Sequence, residues 1–212
     1  MIAATSRLGL SSQDLWYLSR GSGLVLFLVL SAVVILGVAV RLGLPREGTP
    51  KFVIEALHRN LGLAAVLLLV IHVVTAILDP FVTIGWIAAV VPFTSPYRGL
   101  WIGIGAASFD LLVAVVLTSL LRAHLPYLLW KSLHFLAYAS WPLAVAHSLG
   151  AGNDTSLWWV DALIWGATAT TLAAIGYSLV VRAHERRSAP PVVGEQRAPR
   201  TRPSELVSGS PR

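Results

Sequence analysis

Five long apolar runs separated by short polar stretches dominate the pattern of hydrophobic and polar positions along the chain. An α-helix crosses the apolar core of a bilayer with about 20 residues, which is the length of these runs. The pattern predicts membrane-spanning helices at Gly21–Val40, Glu55–Leu78, Leu100–Leu121, Pro126–Leu149 and Trp158–Val181. A sixth apolar stretch, Phe81–Phe93, is too short to cross, and we interpret it as a re-entrant or interfacial segment.

The stretches outside these runs differ in composition. Residues 1–20 are more polar, and Trp16 and Tyr17 suit the headgroup level, so we predict an N-terminal interfacial segment. From residue 183 onward the chain is rich in Pro, Arg and Ser, which predicts a disordered tail at 183–212. Asn153–Ser156 supplies a predicted N-cap for the fifth span. One membrane domain, 21–182, is expected between the two flanks.

Composition agrees with this organisation. Of the 212 residues, 56% are hydrophobic and only 12% are charged, the profile of a protein that lies in the lipid bilayer. The fold class predicted is therefore all-α, an integral membrane helical bundle of about five transmembrane helices. The net charge of +6 resides in loops and the tail, which disfavours binding to nucleic acid. The chain has no cysteine, which excludes disulfides and thiolate ligands from this sequence.

The basic residues also predict the orientation. Loop 41–59, turn 122–131 and the tail carry most of the Lys and Arg, whereas loop 79–99 has only Arg98. By the positive-inside rule the N-terminus is expected outside the cell membrane and the C-terminus in the cytoplasm. This arrangement requires an odd number of crossings, and the second and fourth spans then run parallel, both starting on the cytoplasmic side.

Four histidines lie in those two parallel spans. His58 and His72 are 14 residues apart, about 21 Å along a helix and roughly 40° short of four full turns. His134 and His147 are 13 residues apart, about 20 Å along the axis. Parallel helices would place His58 opposite His134 and His72 opposite His147. Each pair could hold one haem iron between two axial imidazoles, so the pattern predicts two haems between the second and fourth helices.

One feature of this pattern fits poorly. A spacing of 13 leaves about 140° of mismatch between His134 and His147 on a straight helix. Pro142 lies between them and is expected to kink or tighten the helix. A single zinc or copper ion bound by all four histidines is disfavoured, because each helix separates its pair by about 20 Å. A haem-free transport or sensor protein that uses its intramembrane histidines as relays remains an alternative.

The histidine pattern, with 13 and 12 residues between the members of each pair, resembles the ferric reductase-like transmembrane domain. Ferric reductases, NADPH oxidases and the haem-binding subunit of the methionine sulfoxide reductase system share this domain. The resemblance covers Leu15–Gly152 and extends to local segments. These segments are LWYLSRGSG, HRNLG, VPFTSPYRGLW, LTSLLR and WKSLHFLAYASWPLAVAH. It implies haem b as the cofactor, with iron ligands at His58, His72, His134 and His147.

Several other polar and aromatic residues are open to two interpretations. Arg59 is a candidate for pairing with a haem propionate or a positive-inside anchor. Arg98, the only cation expected on the outer side, is a candidate for the outer propionates or an acceptor site. We expect Asp110 near the outer interface, and Trp130 either lining the inner haem or packing ordinarily. His124 and His184 lie outside the histidine stripe and are not expected to bind a metal.

The sequence contains no G-x-G-x-x-G motif and no P-loop. Ferric reductases and NADPH oxidases often carry a flavin and nicotinamide domain on the same chain, and this sequence departs from that pattern. We therefore expect electrons from a redox partner protein, a flavin bound by such a partner, or membrane quinol. The predicted activity is that of an oxidoreductase passing electrons across the bilayer to ferric iron or a partner redox protein on the outer side.

Overall fold

The computed structural model describes residues 11–44, 50–152 and 157–188, and these are helical, with no strand among them. The helices in order are α1 (Ser12–Leu42), α2 (Lys51–Leu78), α3 (Trp86–Val90), α4 (Gly99–Leu120), a 3₁₀ turn (Arg122–His124), α5 (Tyr127–His134), α6 (Ala137–Ala151) and α7 (Trp158–Ser188). Four of them, α1, α2, α4 and α7, are long and apolar enough to cross a membrane. The prediction of an all-α, multi-pass membrane protein is confirmed.

Helix α1 begins nine residues earlier than the predicted first span, so the part of the predicted interfacial segment 1–20 that the structure describes from Ser12 onward is continuous with that span. Ser11 and Asp14 form a capping box: the Ser11 side chain accepts from the Asp14 backbone N–H (3.2 Å), and the Asp14 carboxylate accepts from the Ser11 N–H (2.8 Å). The helix runs through Gly21 and Gly23 without a break. Trp16, Ser19 and Arg20 therefore belong to the same rigid element as the span.

The predicted fourth span is two helices. Backbone hydrogen bonds of the i→i+3 type join 135 to 132, 136 to 133, 138 to 135 and 139 to 136, between α5 and α6. Each residue in such a tight turn rotates the chain by about 20° more than an α-helical residue. Four such residues add about 80°, which is over half of the ~140° by which His134 and His147 would miss each other on a straight helix. Pro142 was the wrong place to expect the irregularity, because α6 continues through it.

Helix α1 is the centre of the packing. It lies against α2, α6 and α7, while α4 packs against α6 and supports α3. One core cluster joins Phe27 to Val160 and Ile164, and a second joins Leu30 and Val34 to Trp141. Direct backbone contact between α2 and α6 is at most marginal in the described residues. The two histidine-bearing helices therefore face each other across a gap.

Helices α1 and α7 run in the same direction. The start of α7, at Val160 and Ile164, packs on Phe27, and Ile175 packs one step further along, on the Leu30 cluster. Ser11 and Ser188 thus lie at opposite ends of the bundle. The predicted disordered tail is wrong for residues 183–188, which continue α7. Residues 189–212, most of the N-terminal segment and the predicted cap Asn153–Ser156 lie outside the described residues.

The segment between α2 and α4 is short and tightly folded. Helix α2 ends before Asp79, whose side chain accepts a hydrogen bond from the Phe81 N–H (2.9 Å). Helix α3 has five residues, too few to cross a membrane. Phe93 follows with a φ of 67°, a strained value for a bulky side chain, and its ring lies against Gly103, where a Cβ would overlap it. The loop is thereby fixed onto the second turn of α4.

Candidate functional site: two histidine pairs

The structure brings the four span histidines together as two pairs. The ring centroids of His58 and His134 are 6.2 Å apart with an interplanar angle of 66°, and those of His72 and His147 are 6.2 Å apart at 78°. We call His58/His134 the inner pair and His72/His147 the outer pair, after the predicted orientation. These are the pairs that parallel histidine helices predict.

Three of the four imidazoles are anchored to a backbone carbonyl through Nδ1. His58 Nδ1 lies 3.0 Å from the Val33 oxygen, His72 Nδ1 2.8 Å from the Ser19 oxygen, and His147 Nδ1 2.8 Å from the Trp101 oxygen. A carbonyl can only accept, so Nδ1 carries the proton in each ring and Nε2 keeps its lone pair. This is the second-shell arrangement typical of histidines that bind a metal through Nε2.

A glycine lies four residues after each of these three carbonyls. The glycines are Gly23 after Ser19, Gly37 after Val33 and Gly105 after Trp101. A Cβ at Gly23 would lie 2.8 Å from the His72 ring, one at Gly37 would lie 3.3 Å from the His58 ring, and one at Gly105 would overlap the His147 ring. The missing side chain lets each imidazole approach the helix backbone closely enough to reach the carbonyl one turn earlier.

The sequence contained a signal for these glycines that the hydropathy pattern does not reveal. Gly23 and Gly37 are 14 residues apart on α1, the same spacing as His58 and His72 on the antiparallel helix α2. On α4, position 119 lies 14 residues after Gly105 and faces His134, but it is a serine. Comparing the glycine spacing on α1 with the equal histidine spacing on α2 would have identified Gly23 and Gly37.

The two pairs suit a planar group with one axial imidazole on each face. An imidazole nitrogen binds a metal at about 2 Å and lies about 1 Å from its ring centroid, so two imidazoles on one ion have centroids roughly 6 Å apart. Both observed separations are 6.2 Å. A cavity of about 250 Å³ adjoins the outer pair, and His72, His147, Gly23 and Gly105 are among its lining residues. The residues present therefore fit two bis-histidine haem sites.

A protein-only metal cluster has no comparable support. In the described part of the chain, no group of three or more histidine, aspartate or glutamate side chains is arranged to hold a metal ion. Two imidazoles that face each other form the axial ligand set of a bis-histidine haem.

Trp141 lies between the two pairs along α6, seven residues after His134 and six before His147. The side chain is 3% exposed, and its indole N–H donates to the Ser31 hydroxyl (3.0 Å). Nearby, the Ser108 hydroxyl donates to the Ser140 carbonyl (2.9 Å) and ties α4 to α6. These contacts tie α6 to α1 and α4 at a level between the two pairs, and no sequence pattern singled out Trp141.

Arg98 contacts the end of α6, and its predicted role toward the outer propionates or an acceptor stays a prediction. Its guanidinium donates to the carbonyl oxygens of Gly150 and Ala151, both at 3.1 Å, at the end of the helix that carries His147. This is a C-terminal capping contact, favourable because a cation meets unpaired carbonyls there. The prediction that Arg98 is the only outer cation is wrong, because Arg20 lines the outer cavity together with His72 and His147.

The remaining predicted residues lie apart from the outer cavity or in different surroundings. Arg59 is exposed, although it follows His58 directly. His124 and His184 are exposed and belong to neither pair. Asp110 was expected near the outer interface but is the twelfth residue of the 22-residue helix α4, about 16 Å from its start and thus near mid-depth.

Trp130 is in direct contact with the inner pair. Its ring stacks on His134 with centroids 5.2 Å apart and an interplanar angle of 26°. The Arg122 guanidinium lies 4.4 Å from the centroid of the Trp130 ring. The indole N–H is buried without a hydrogen-bond partner in the described structure, so stacking is what holds this ring. The stack places Trp130 against a member of the inner pair, and its role in lining an inner haem stays a prediction.

The fold and the site define an integral membrane helical bundle with two histidine pairs at two depths. A comparison with protein families then found a match to the ferric reductase like transmembrane component over residues 22–145, more than half of the chain. The protein belongs to this family. The match includes His58, His72 and His134 and ends two residues before His147. Comparison with curated proteins and with solved structures found no match.

Proposed function

We propose that this protein is a di-haem b membrane protein that transfers electrons across the bilayer. Family membership supports a role in membrane electron transfer and an oxidoreductase activity. The observation that carries the di-haem proposal is the pair geometry: two imidazole pairs with centroids 6.2 Å apart, three of the four rings with Nδ1 committed to a carbonyl. The axial ligands would be His58 with His134 and His72 with His147.

Bound haem would supply one-electron chemistry, and the chain would supply position and surroundings. The carbonyl contacts fix the ring orientation and direct Nε2 into the gap between α2 and α6. Apolar side chains, among them Phe27, Leu30 and Ile164, line the outer cavity and would disfavour water there. With the pairs about 20 Å apart along the axis, electrons cross the membrane in two shorter steps instead of one.

The proposed direction runs from the cytoplasm outward. We place the C-terminus in the cytoplasm of a plasma-membrane protein and the N-terminus outside, since the Lys- and Arg-rich segments flank the inner pair. The opposite positions of Ser11 and Ser188 in the bundle support five passages, the fourth made by α5 and α6 together. A redox partner protein, its flavin or quinol would donate near Lys51 and Lys131. Ferric iron or a partner protein would accept near loop 93–98.

An absorption spectrum tests the cofactor proposal. Protein purified in detergent from haem-supplied cells should show a b-type spectrum on dithionite reduction and contain about two haems per chain. The matched control is the quadruple variant with His58, His72, His134 and His147 all changed to Ala, which should be colourless. Wild-type protein that folds but binds no haem would overturn the proposal and favour the haem-free relay alternative.

Sealed vesicles of known orientation test the direction. A reductant confined to the cytoplasmic side should reduce the inner haem before the outer one, since the inner pair lies nearer that surface. A reporter fused after Arg212 should behave as cytoplasmic, and a tag at Met1 should be accessible from outside. Finding both termini on one side would contradict the proposed topology but leave the haem proposal intact.

A further inference from the structure

The inner site differs from the outer site at one residue of α4. Each of the other three span histidines contacts a backbone carbonyl, and a glycine lies four residues after that carbonyl. On α4, the carbonyl position corresponds to Val115, and the glycine position corresponds to Ser119, which faces His134. Ser119 thus occupies the glycine position of the repeated arrangement. Its side chain fills the space through which an imidazole would otherwise reach the carbonyl.

The Ser119 hydroxyl also bonds to the carbonyl that it covers. Its Oγ lies 2.7 Å from the Val115 oxygen and donates to it, because a carbonyl can only accept. The same Oγ lies 3.4 Å from His134 Nδ1. With its own proton committed to Val115, the hydroxyl oxygen can only accept from His134. This distance is longer than the usual range for a hydrogen bond, so the contact is weaker than the three carbonyl contacts at 2.8–3.0 Å.

We infer that Ser119 is a positioning residue that raises the reduction potential of the inner site by withholding the Val115 carbonyl from His134. A strong acceptor on Nδ1 makes an imidazole a better electron donor to its metal, which stabilises the oxidised state. A weak hydroxyl acceptor leaves His134 a poorer donor than the other three ligands. This inference rests on the proposed function, because it presumes a haem between His58 and His134.

The stacking of Trp130 on His134 is consistent with this role. A ring that lacks a strong Nδ1 anchor needs another contact to fix its plane, and the stack provides one. Among the described residues, His134 alone of the four span histidines stacks on an aromatic side chain of another residue type. The inner site therefore keeps its ring orientation without the carbonyl bond that would lower its potential.

Redox titration of two Ser119 variants and one control variant tests the inference. Ser119→Gly uncovers the Val115 carbonyl and should shift the inner potential downward. Ser119→Ala keeps the carbonyl covered and removes the acceptor, so it should shift the inner potential upward. The outer potential should not move in either variant. Thr170→Ala on α7 is the control, because the Thr170 hydroxyl makes the same contact to the carbonyl four residues earlier, that of Gly166 (2.7 Å), and it should leave both potentials unchanged.

The sign of the two shifts decides the outcome. Opposite shifts confined to the inner haem support the inference, and unchanged potentials or shifts in the same direction overturn it. If Ser119→Gly does not fold, Ser119→Ala and Ser119→Thr test the inference. Ser119→Ala should still raise the inner potential, and Ser119→Thr keeps the hydroxyl and should retain the wild-type potential. Wild-type protein without haem would instead count against the proposed function, so the two failures are distinguishable.

Discussion

The outer and inner histidine pairs have the same ring separation but are held differently. At the outer pair both rings bond to carbonyls at 2.8 Å, and both lie against glycines. At the inner pair only His58 has a carbonyl and a glycine, while His134 has a distant hydroxyl and a stacked tryptophan. Helix α6 carries His147 in regular geometry, whereas His134 is the last residue of α5, at the helix break. Equal ligand spacing therefore does not imply equal sites.

This comparison separates two ways of fixing an imidazole. A backbone carbonyl in a packed helix cannot move without its helix, so it fixes the ring rigidly. Side-chain contacts such as Ser119 and Trp130 leave the ring more adjustable, and substitution can change them without altering the backbone. We therefore expect the outer site to be sensitive to backbone packing and the inner site to be sensitive to side-chain identity.

The largest effect should come from removing a ligand. His72→Ala or His147→Ala should abolish the outer haem and largely spare the inner one, and His58→Ala or His134→Ala should do the reverse. Haem content and the two midpoint potentials measure this. His124→Ala and His184→Ala are controls and should retain both haems. Identical residual spectra from His58→Ala and His72→Ala would contradict the assignment of the pairs.

Adding one methyl group at the glycines should have the next largest effect. Gly105→Ala and Gly23→Ala place a Cβ against the outer rings and should cause loss of the outer haem. Gly37→Ala meets the His58 ring at 3.3 Å and should weaken the inner haem less. Gly62 has open space around it on α2. Gly62→Ala should therefore keep both haems and favour the helix by about 1 kcal/mol.

Those glycine variants are measured by haem retention during gel filtration. A Gly105→Ala protein that held its outer haem as firmly as the Gly62→Ala protein would show that the close approach of His147 to α4 is not required.

Removing the stack should affect the inner site alone and more mildly. Trp130→Leu deletes the ring against His134, so the imidazole plane should become less defined and the inner haem should dissociate several-fold faster. Low-temperature electron paramagnetic resonance, which reports the angle between axial imidazole planes, measures the change. Trp130→Phe should preserve the stack and the signal. Trp86→Leu, an exposed tryptophan in α3, is the control. A changed outer signal in Trp130→Leu would speak against a local role.

The smallest effect expected is on stability between the two pairs. Ser31→Ala removes the acceptor of the buried Trp141 N–H and should lower the free energy of unfolding by about 1–3 kcal/mol, with both haems retained. Thermal unfolding in detergent measures it, with Thr170→Ala on α7 as a control, because the Thr170 hydroxyl bonds to the Gly166 carbonyl one turn earlier in the same helix. Equal stability of the two variants would show that the Trp141 contact contributes little.

The sequence by itself determined the membrane class, four long spans and the histidine pattern. Each of these is a local property. The length of an apolar run matches the thickness of the bilayer, and the helical repeat places His58 and His72 on one face of a helix whatever its neighbours are. The family resemblance is likewise confirmed by the match over residues 22–145. The role of the four histidines as haem ligands remains a prediction.

Only the tertiary structure decided how the histidines meet. The break after His134 corrects the 13-residue spacing, and it depends on α5 and α6 packing separately against α4. Each glycine contact joins a residue on one helix to a ring on another, 49 positions away for Gly23 and His72. The sequence of a single helix therefore does not reveal these contacts. The contact of Arg98 with the end of α6 joins residues 52 and 53 positions apart, so no local sequence pattern indicated it. Hydropathy predicts which segments lie in the lipid bilayer, whereas side-chain packing determines which residues are in contact across a helix interface.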